Sequence, residues 1–182
     1  MRQRTRLYIF VGLFAALTAA GAFIKVPMPL VPMTLQTLLV YASGLFLGPS
    51  GGALSQLLYV TLGLIGLPIF AGGGGIAYVF SPTFGYLVGF IPAAGVSGWF
   101  SQRGGYLFPT IGVFVGLLVV YLFGVPYLYG VSRLFLGARL GFWAAVKIGF
   151  LLPLPGDIVK AVLVLVIFYS ARNGLDLPIG KK

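Results

Sequence analysis

The 182-residue sequence contains no cysteine, no histidine and only two acidic residues, Asp157 and Asp176. Without cysteine and histidine, the chain has no disulfide, no thiolate nucleophile and no imidazole base, and nearly every type of zinc or haem site is excluded. Charged residues make up only 8% of the sequence and hydrophobic residues 59%, whereas a soluble domain has about 25% charged residues. The composition excludes a soluble globular domain and predicts a membrane protein that is not an enzyme and holds no metal or other cofactor.

The hydrophobic residues are concentrated in six segments of the chain. A spanning helix needs about 20 apolar residues, or fewer where the neighbouring helices are short as well. We therefore predict an all-α membrane protein in which residues 1–182 form a single transmembrane domain, a compact bundle of six transmembrane helices. The segments are Leu7–Ile24, Leu35–Leu47, Ala53–Leu67, Phe84–Phe100, Tyr106–Tyr129 and Ile158–Tyr169.

The 12 basic residues are scattered over the ends of these segments, which argues against a nucleic-acid partner. Seven lie on the side of both chain termini and four on the opposite side, before Lys160 is placed. Basic residues mark the cytoplasmic ends of spans, so both termini are predicted to be cytoplasmic in a multi-pass protein of the cell membrane. The seven are Arg2, Arg4, Arg6, Arg103, Arg172, Lys181 and Lys182, and the four are Lys25, Arg133, Arg139 and Lys147.

Two stretches of the sequence allow more than one interpretation. The basic start and the apolar run after it also fit a secretory signal peptide. Because the rest of the chain is equally apolar, we interpret the first segment as a retained helix. Residues Arg133 to Phe150 alternate charge with Leu, Phe and Trp, which predicts an interfacial or partly inserted helix rather than a seventh span.

The longest connection, Pro68–Pro82, contains four consecutive glycines, at positions 72–75. A phosphate-binding loop would continue with Gly-Lys-Ser or Gly-Lys-Thr, and neither follows. Two interpretations remain, namely a flexible linker and a loop whose bare backbone approaches a ligand or moves as a lid.

Small residues recur at four-residue spacing in several segments, which is typical of helices that pack closely. Most of these pairs are predicted to pack inside the bundle. The small face of the first segment is longer and nearly continuous, and it also suits a contact with a helix of another protein. The pairs are Gly44/Gly48, Gly85/Gly89 and Gly112/Gly116, and the face consists of Gly12, Ala15, Ala16, Ala19 and Ala20.

The last segment opens with two charged residues, Asp157 and Lys160, which lie on one helical face because they are three residues apart. A charge at mid-membrane costs about 2.5–3.5 kcal/mol, so such a pair is expected to serve a function. Asp157 also suits an N-terminal helix cap, with Lys160 as its counter-ion. We favour a site in which the pair binds a small polar organic molecule.

Aromatic side chains are candidates for the walls of such a site, although they also suit a belt at the membrane interface. The candidates are Tyr78, Phe84, Tyr86 and Trp143.

Five motifs, in this order along the chain, resemble the BioY family. They are VPMPLVPMTLQTL at 26–38, GLFLGP at 44–49, GLIGLPIFAGG at 63–73, SPTFGYL at 81–87 and LPGDIVK at 154–160. The resemblance extends over residues 7–172. Members of this family are the biotin-specific substrate-binding subunits, or S-components, of energy-coupling factor (ECF) transporters.

The resemblance implies a six-helix protein that captures biotin from outside, while a transmembrane coupling (T) subunit and two ATPase subunits drive its release inside. It also implies roles for particular residues. Asp157 and Lys160 would contact biotin, and the loops Pro27–Thr34 and Ala71–Ser81 would close over it. The coupling subunit would dock on Ala15, Ala16, Ala19 and Ala20. Apart from the resemblance, we predict from the residues themselves that Gly73, Gly74, Tyr78, Phe84 and Tyr86 complete the ligand site.

Two other functions remain open. An S-component for another vitamin would share the architecture and differ in the chemistry of its pocket. A small secondary carrier or channel is the other alternative, and it is expected to show inverted repeats; the sequence contains no convincing repeat.

Overall fold

The protein is a bundle of membrane-type helices to which a two-stranded β ribbon is added. The computed structural model describes residues 2–135, 137 and 140–172, with side chains from residue 4 onward. Within these residues, five helical segments are long and apolar enough to cross a membrane. The elements are α1 (Arg2–Phe23), β1 (Lys25–Val26), β2 (Met33–Thr34), α2 (Gln36–Leu64), a short 3₁₀ helix (Ile76–Phe80), α3 (Phe84–Ser101), α4 (Leu107–Leu134), α5 (Phe142–Val146) and α6 (Leu154–Arg172).

Helix α2 is a hairpin of two arms, residues 36–47 and 49–64, rather than one straight rod. The side-chain nitrogen of Gln36 donates to the hydroxyl of Tyr59 at 2.5 Å although 23 residues separate them. In a straight helix that separation would correspond to about 34 Å. The two arms therefore lie side by side and antiparallel, in agreement with the two separate apolar segments predicted for this part of the chain.

The chain reverses at Gly48, which adopts φ +76° and ψ −177°. Glycine reaches this conformation readily because it has no β carbon. Pro49 then begins the second arm, where a proline is tolerated because the first N–H groups of a helix have no partner in the helix. The turn brings Gly44 and Gly52 so close that a β carbon on Gly52 would lie 2.7 Å from the α carbon of Gly44.

The bundle is arranged around α2, which packs between α1 and α3, while α3 packs on α4 and α6 closes the bundle against α2 and α4. Small residues allow the closest contacts. A β carbon on Gly89 of α3 would lie 3.1 Å from the α carbon of Val120 in α4, and one on Gly116 of α4 would lie 3.1 Å from the Ala93 carbonyl of α3. The prediction that the glycine pairs pack inside the bundle is confirmed.

The described parts of the first and last helices reach the same end of the bundle. The side chain of Leu7 lies beside Gly51, next to the α2 turn, and the Arg172 guanidinium donates to the Gly105 carbonyl at 3.0 Å. We call this end, with Gly48 and the α3–α4 connection, the turn end. The opposite end, with the β ribbon, the 3₁₀ helix and the start of α6, is the loop end.

Two predictions for the last third of the chain are wrong. Among the described residues, Arg133 belongs to α4 and residues 142–150 belong to the helical segment Phe142–Arg172, which forms one candidate span. They form no seventh span, as predicted, but they are not one separate interfacial helix. The last helix also begins before Ile158. It starts at Leu154, and a π turn at Lys147–Leu151 precedes it.

The glycine-rich connection is folded back on the end of α2, so the flexible-linker interpretation is wrong. Phe70 and Gly73 exchange backbone hydrogen bonds of 2.8 and 3.1 Å, and the Gly75 N–H donates to the Gly63 carbonyl at 2.7 Å. A β carbon on Gly74 would lie 3.2 Å from that same carbonyl. This loop therefore needs glycine for its own packing.

Some residues used in the sequence analysis lie outside the described residues. They are Arg139, Asp176, Lys181 and Lys182, together with the side chain of Arg2.

Candidate ligand-binding site

A cavity lies at the loop end, enclosed by the β ribbon, the 65–83 connection and helices α2, α3, α4 and α6. Its volume is about 50 Å³, counted over the positions that the centre of a water molecule can occupy. Most of its lining is apolar or aromatic and a few polar groups converge in it, as in many small-molecule sites. The lining residues are Val31, Pro32, Met33, Thr34, Gln36, Thr37, Ala71, Tyr78, Thr83, Tyr86, Leu87, Phe90, Val120, Tyr121, Pro153, Asp157 and Lys160.

The carboxylate of Asp157 is the main polar group of the cavity, and it is buried. Thr37 Oγ1 donates to one of its oxygens at 3.0 Å, the Tyr121 hydroxyl donates to the other, and the Lys160 ammonium forms an ion pair with it. Three helices thus converge on one charge. A carboxylate has about four lone-pair sites, so these three contacts leave about one acceptor position open.

The ammonium of Lys160 is also buried, and it joins the ion pair to the β ribbon. Besides contacting Asp157, it donates to the Thr34 carbonyl of β2 at 2.6 Å. An ammonium has three N–H donors, so one donor remains. The pair therefore presents an anionic acceptor and a cationic donor side by side, while its net charge is zero.

Asp157 lies in the first turn of α6, and Lys160 lies one turn further along the same helix. The Leu152 N–H donates to the Lys147 carbonyl at 2.9 Å, an i→i−5 bond, and the Asp157 N–H donates to the Pro153 carbonyl at 3.0 Å. The backbone of Asp157 is thus already helical, and its carboxylate contacts the side chains of other helices. The helix-cap interpretation of Asp157 is wrong.

A chain of hydrogen bonds links the β ribbon to the glycine-rich connection beneath the cavity. Thr34 Oγ1 donates to the Gln36 side-chain oxygen at 2.9 Å, and the Gln36 side-chain nitrogen donates to the Tyr59 hydroxyl at 2.5 Å. That hydroxyl donates to the Ile69 carbonyl at 3.1 Å. The two loops that border the cavity are therefore joined through buried side chains of α2.

Four of the predicted ligand-binding residues, Tyr78, Tyr86, Asp157 and Lys160, come together in the cavity lining. Gly73, Gly74 and Phe84 are not part of the lining, and the ring of Phe84 packs on Tyr127 at a centroid distance of 5.8 Å. Contact of any of these residues with a ligand stays a prediction. Trp143 is 75% exposed, which fits a belt residue and not a cavity wall.

Sequence reasoning missed the two hydroxyl groups that bind Asp157, those of Thr37 and Tyr121. Both belong to apolar stretches, and both are buried. The available signal was their polarity, because a hydroxyl buried at membrane depth needs a partner within the protein. Tyrosine is also common at membrane interfaces, and Tyr121 was therefore not singled out.

The small-residue face of α1 is divided between the interior and the surface. Ala15 is only 3% exposed and Ala19 is partly buried, whereas Ala16 and Ala20 are exposed. A β carbon on Gly12 would have no neighbour within 4 Å. Ala15 therefore packs inside the bundle, and the outward stripe consists of Gly12, Ala16 and Ala20.

A net-neutral ion pair inside a helical membrane bundle, in a cavity bordered by two loops, defines a multi-pass membrane protein that binds a small molecule. Comparison with known proteins identifies the family. The chain matches the model of the BioY family over residues 1–176, and it therefore belongs to that family.

Named relatives agree with this assignment. The probable biotin transporter BioY of Lysinibacillus sphaericus is 42% identical over 166 residues, which cover 88% of this chain and 84% of that protein. The biotin transporter BioY of Rhizobium etli is 38% identical over 188 residues, with 95% and 96% covered. These relatives are transporters and not enzymes.

A solved structure agrees as well. The crystal structure of the S-component for biotin from an ECF-type ABC transporter matches with a TM-score of 0.83 at 25% sequence identity, and the match covers 96% of this chain and 94% of that chain. The architecture described above is therefore that of an S-component.

Proposed function

We propose that this protein is the biotin-binding membrane subunit of an ECF-type uptake transporter. It captures biotin from outside the cell, and an ATP-driven partner module then drives release of biotin inside. Biotin is the transported ligand in this proposal rather than a resident cofactor. The observation that carries the proposal is the Asp157–Lys160 pair, which lies buried in the cavity lining of a BioY family chain.

The chemistry of the pair suits the ureido ring of biotin. On one edge, a cyclic urea presents an N–H donor beside a carbonyl acceptor. Asp157 has about one lone-pair site left for the N–H, and Lys160 has one N–H left for the carbonyl. The apolar thioether ring would then lie against aromatic side chains such as Tyr78 and Tyr86, which line the same cavity.

Titration calorimetry with biotin tests this assignment. Asp157→Asn keeps the shape of the side chain but removes its charge, so we expect affinity to fall about 5- to 150-fold, the equivalent of about 1–3 kcal/mol. Lys160→Met keeps the apolar stem and removes the donor, and it should weaken binding as well. The double mutant should lose less than the sum of the two single losses, because both changes disrupt one network.

Thermal melts must first show that all variants are folded, since breaking a buried ion pair destabilises a protein by about 3–5 kcal/mol. Riboflavin and thiamine serve as comparison ligands. If Asp157→Asn folds and binds biotin with wild-type affinity, the Asp157–Lys160 pair is not part of the biotin site. Tight binding of another vitamin, without biotin binding, would identify an S-component of different specificity.

We also propose six membrane crossings, with the loop end outside and both termini in the cytoplasm. The two antiparallel arms of α2 support a count of six rather than five. The orientation rests on the seven-to-four distribution of basic residues along the sequence, because basic residues favour the cytoplasmic side. Of the seven, those whose side chains the structure describes lie at the turn end: Arg4, Arg6, Arg103 and Arg172.

Cysteine labelling in intact cells tests the orientation, since the natural chain has no cysteine. A cysteine at Ile76, which is 72% exposed at the loop end, should react with an impermeant maleimide. A cysteine at Gln102, exposed at the turn end, should react only after the cells are lysed. The reverse pattern would overturn the proposed orientation.

We propose that the coupling subunit docks on the outward stripe of α1, Gly12, Ala16 and Ala20. Of the candidate spans, the α1 segment Arg4–Phe23 has the smallest buried share, 28%. Small residues in such a stripe allow the backbone of another helix to approach closely. Ala15 does not belong to this surface, because it is buried in the bundle.

Replacement of Ala16 or Ala20 by Leu should reduce co-purification of the coupling subunit and biotin uptake by about tenfold or more, while biotin binding in detergent stays unchanged. Val162→Leu, on the exposed face of α6, is the matched control and should preserve both. Equal loss in the control, or loss of biotin binding in the α1 variants, would contradict docking on this stripe.

A further inference from the structure

Lys25 lies between two residues of the cavity lining. Its backbone in β1 is paired with Thr34 of β2, and its ammonium donates to the Ala71 carbonyl of the glycine-rich connection at 2.6 Å. Thr34 and Ala71 both line the cavity. Paired residues of an antiparallel ribbon have α carbons about 4.5–5.5 Å apart, so this cation stands at the border of the ligand site.

The ammonium of Lys25 has bonding capacity to spare. Of its three N–H donors, one binds Ala71, and the residues that the structure describes supply no further partner. The side chain is exposed, so it can change its direction at little cost. A second hydrogen bond to an anion therefore does not require the contact between the two loops to break.

The other described cations are less suited to this role. Arg4, Arg6, Arg103 and Arg172 lie at the turn end, away from the cavity. Arg133 donates to the Tyr129 hydroxyl at 2.6 Å. Neither Arg133 nor Lys147 lines the cavity. Lys160 does, but it balances the charge of Asp157. The site as described is thus electrically neutral before Lys25 is counted.

We propose that Lys25 binds the carboxylate of the ligand at the border of the cavity, with a charge-assisted hydrogen bond in addition to its bond with Ala71. This inference rests on the proposed function, since it takes biotin as the ligand. Biotin carries its carboxylate on a flexible aliphatic chain, at the end opposite to the ureido ring. With the ring at the neutral pair, Lys25 supplies the positive charge that the carboxylate needs.

Calorimetry with two ligands tests this role: biotin, and biotinamide, which keeps the ureido ring but has no negative charge. Wild-type protein should bind biotin about 5- to 20-fold more tightly than biotinamide. Lys25→Met should lower biotin affinity by about that factor more than it lowers biotinamide affinity, so that the preference disappears. Lys25→Arg should retain much of the preference. Lys147→Met is the matched control, because it removes another exposed lysine at the loop end. It should retain the full preference for biotin over biotinamide.

The outcomes separate this inference from the proposed function. Wild-type protein that binds neither compound overturns both, whereas wild-type protein that binds the two equally overturns only the role of Lys25. Equal losses of biotin and biotinamide affinity in folded Lys25→Met would mean that Lys25 only holds the loops together. An undiminished preference in Lys25→Met would overturn the inference as well.

Discussion

The turn end and the loop end of this bundle are held together in different ways. At the turn end, backbones touch directly, because Gly98 of α3 lies against the backbone of Gly48 and Pro49 in α2. At the loop end, side chains bridge the elements: Asp157 binds hydroxyls of α2 and α4, and Tyr59 joins the first arm of α2 to the connection that follows the second.

The difference separates a fixed scaffold from an adjustable site. Two backbones that touch through a glycine can do so in one geometry only, because a β carbon at the glycine would keep them apart. Hydrogen bonds between side chains and loops can be remade with a ligand or with water, at a net cost of about 0.5–1.5 kcal/mol each. We therefore expect substitutions at the turn end to affect folding, and substitutions at the loop end to affect binding.

The largest expected effect is that of Gly98→Leu. A β carbon at this position would lie 2.5 Å from the backbone nitrogen of Pro49, and neither backbone can move aside without opening the contact between α2 and α3. We expect destabilisation of about 3 kcal/mol or more. Thermal melts and size-exclusion profiles in detergent would show loss of the folded species, and excess biotin should not restore it.

Gly130→Leu is the matched control, since a β carbon on Gly130 in α4 would have no neighbour within 4 Å. It should leave the melting temperature within a few degrees of the wild type. A folded Gly98→Leu with a similar melting temperature would contradict the view of the turn end as a rigid scaffold.

The sequence predicts the scaffold better than the site. Apolar segments and small-residue spacing are local signals, and they identified the two arms of α2 and the glycine contacts between helices. Gly48 and Pro49, where the chain turns, lie in the gap between the two apolar segments that form these arms. The β ribbon was not predicted from the sequence. Its register, in which Lys25 pairs with Thr34, depends on the helices that hold both strands.

The site was predictable only where one helix carries it. Asp157 and Lys160 share a helical face, so their spacing revealed them. Their other partners, Thr37, Tyr121 and the Thr34 carbonyl, come from distant parts of the chain, and no local pattern connects them. The start of the last helix was placed too late, because the π turn at Lys147–Leu151 that precedes it depends on hydrogen bonds that a sequence does not display.

The smallest expected effect is that of Tyr59→Phe, which removes one hydroxyl from the chain that links the two loops. Gln36 would lose its acceptor and the Ile69 carbonyl its donor, while the ring and its packing on Phe70 remain. We expect a loss of about 1–3 kcal/mol in stability. Because the loops are no longer joined beneath the cavity, biotin should dissociate a few-fold faster, which stopped-flow competition with labelled biotin would measure.

Tyr169→Phe is the control at the turn end, where the Tyr169 hydroxyl likewise joins two elements: it contacts Thr110 Oγ1 at 2.8 Å and the Tyr106 carbonyl. Its loss should lower stability by a similar amount without changing the dissociation rate of biotin, since neither partner lines the cavity. If both variants release biotin equally fast, the faster dissociation follows from general loosening of the bundle. If only Tyr59→Phe does so, the hydrogen-bond chain beneath the cavity holds the two loops closed as one unit.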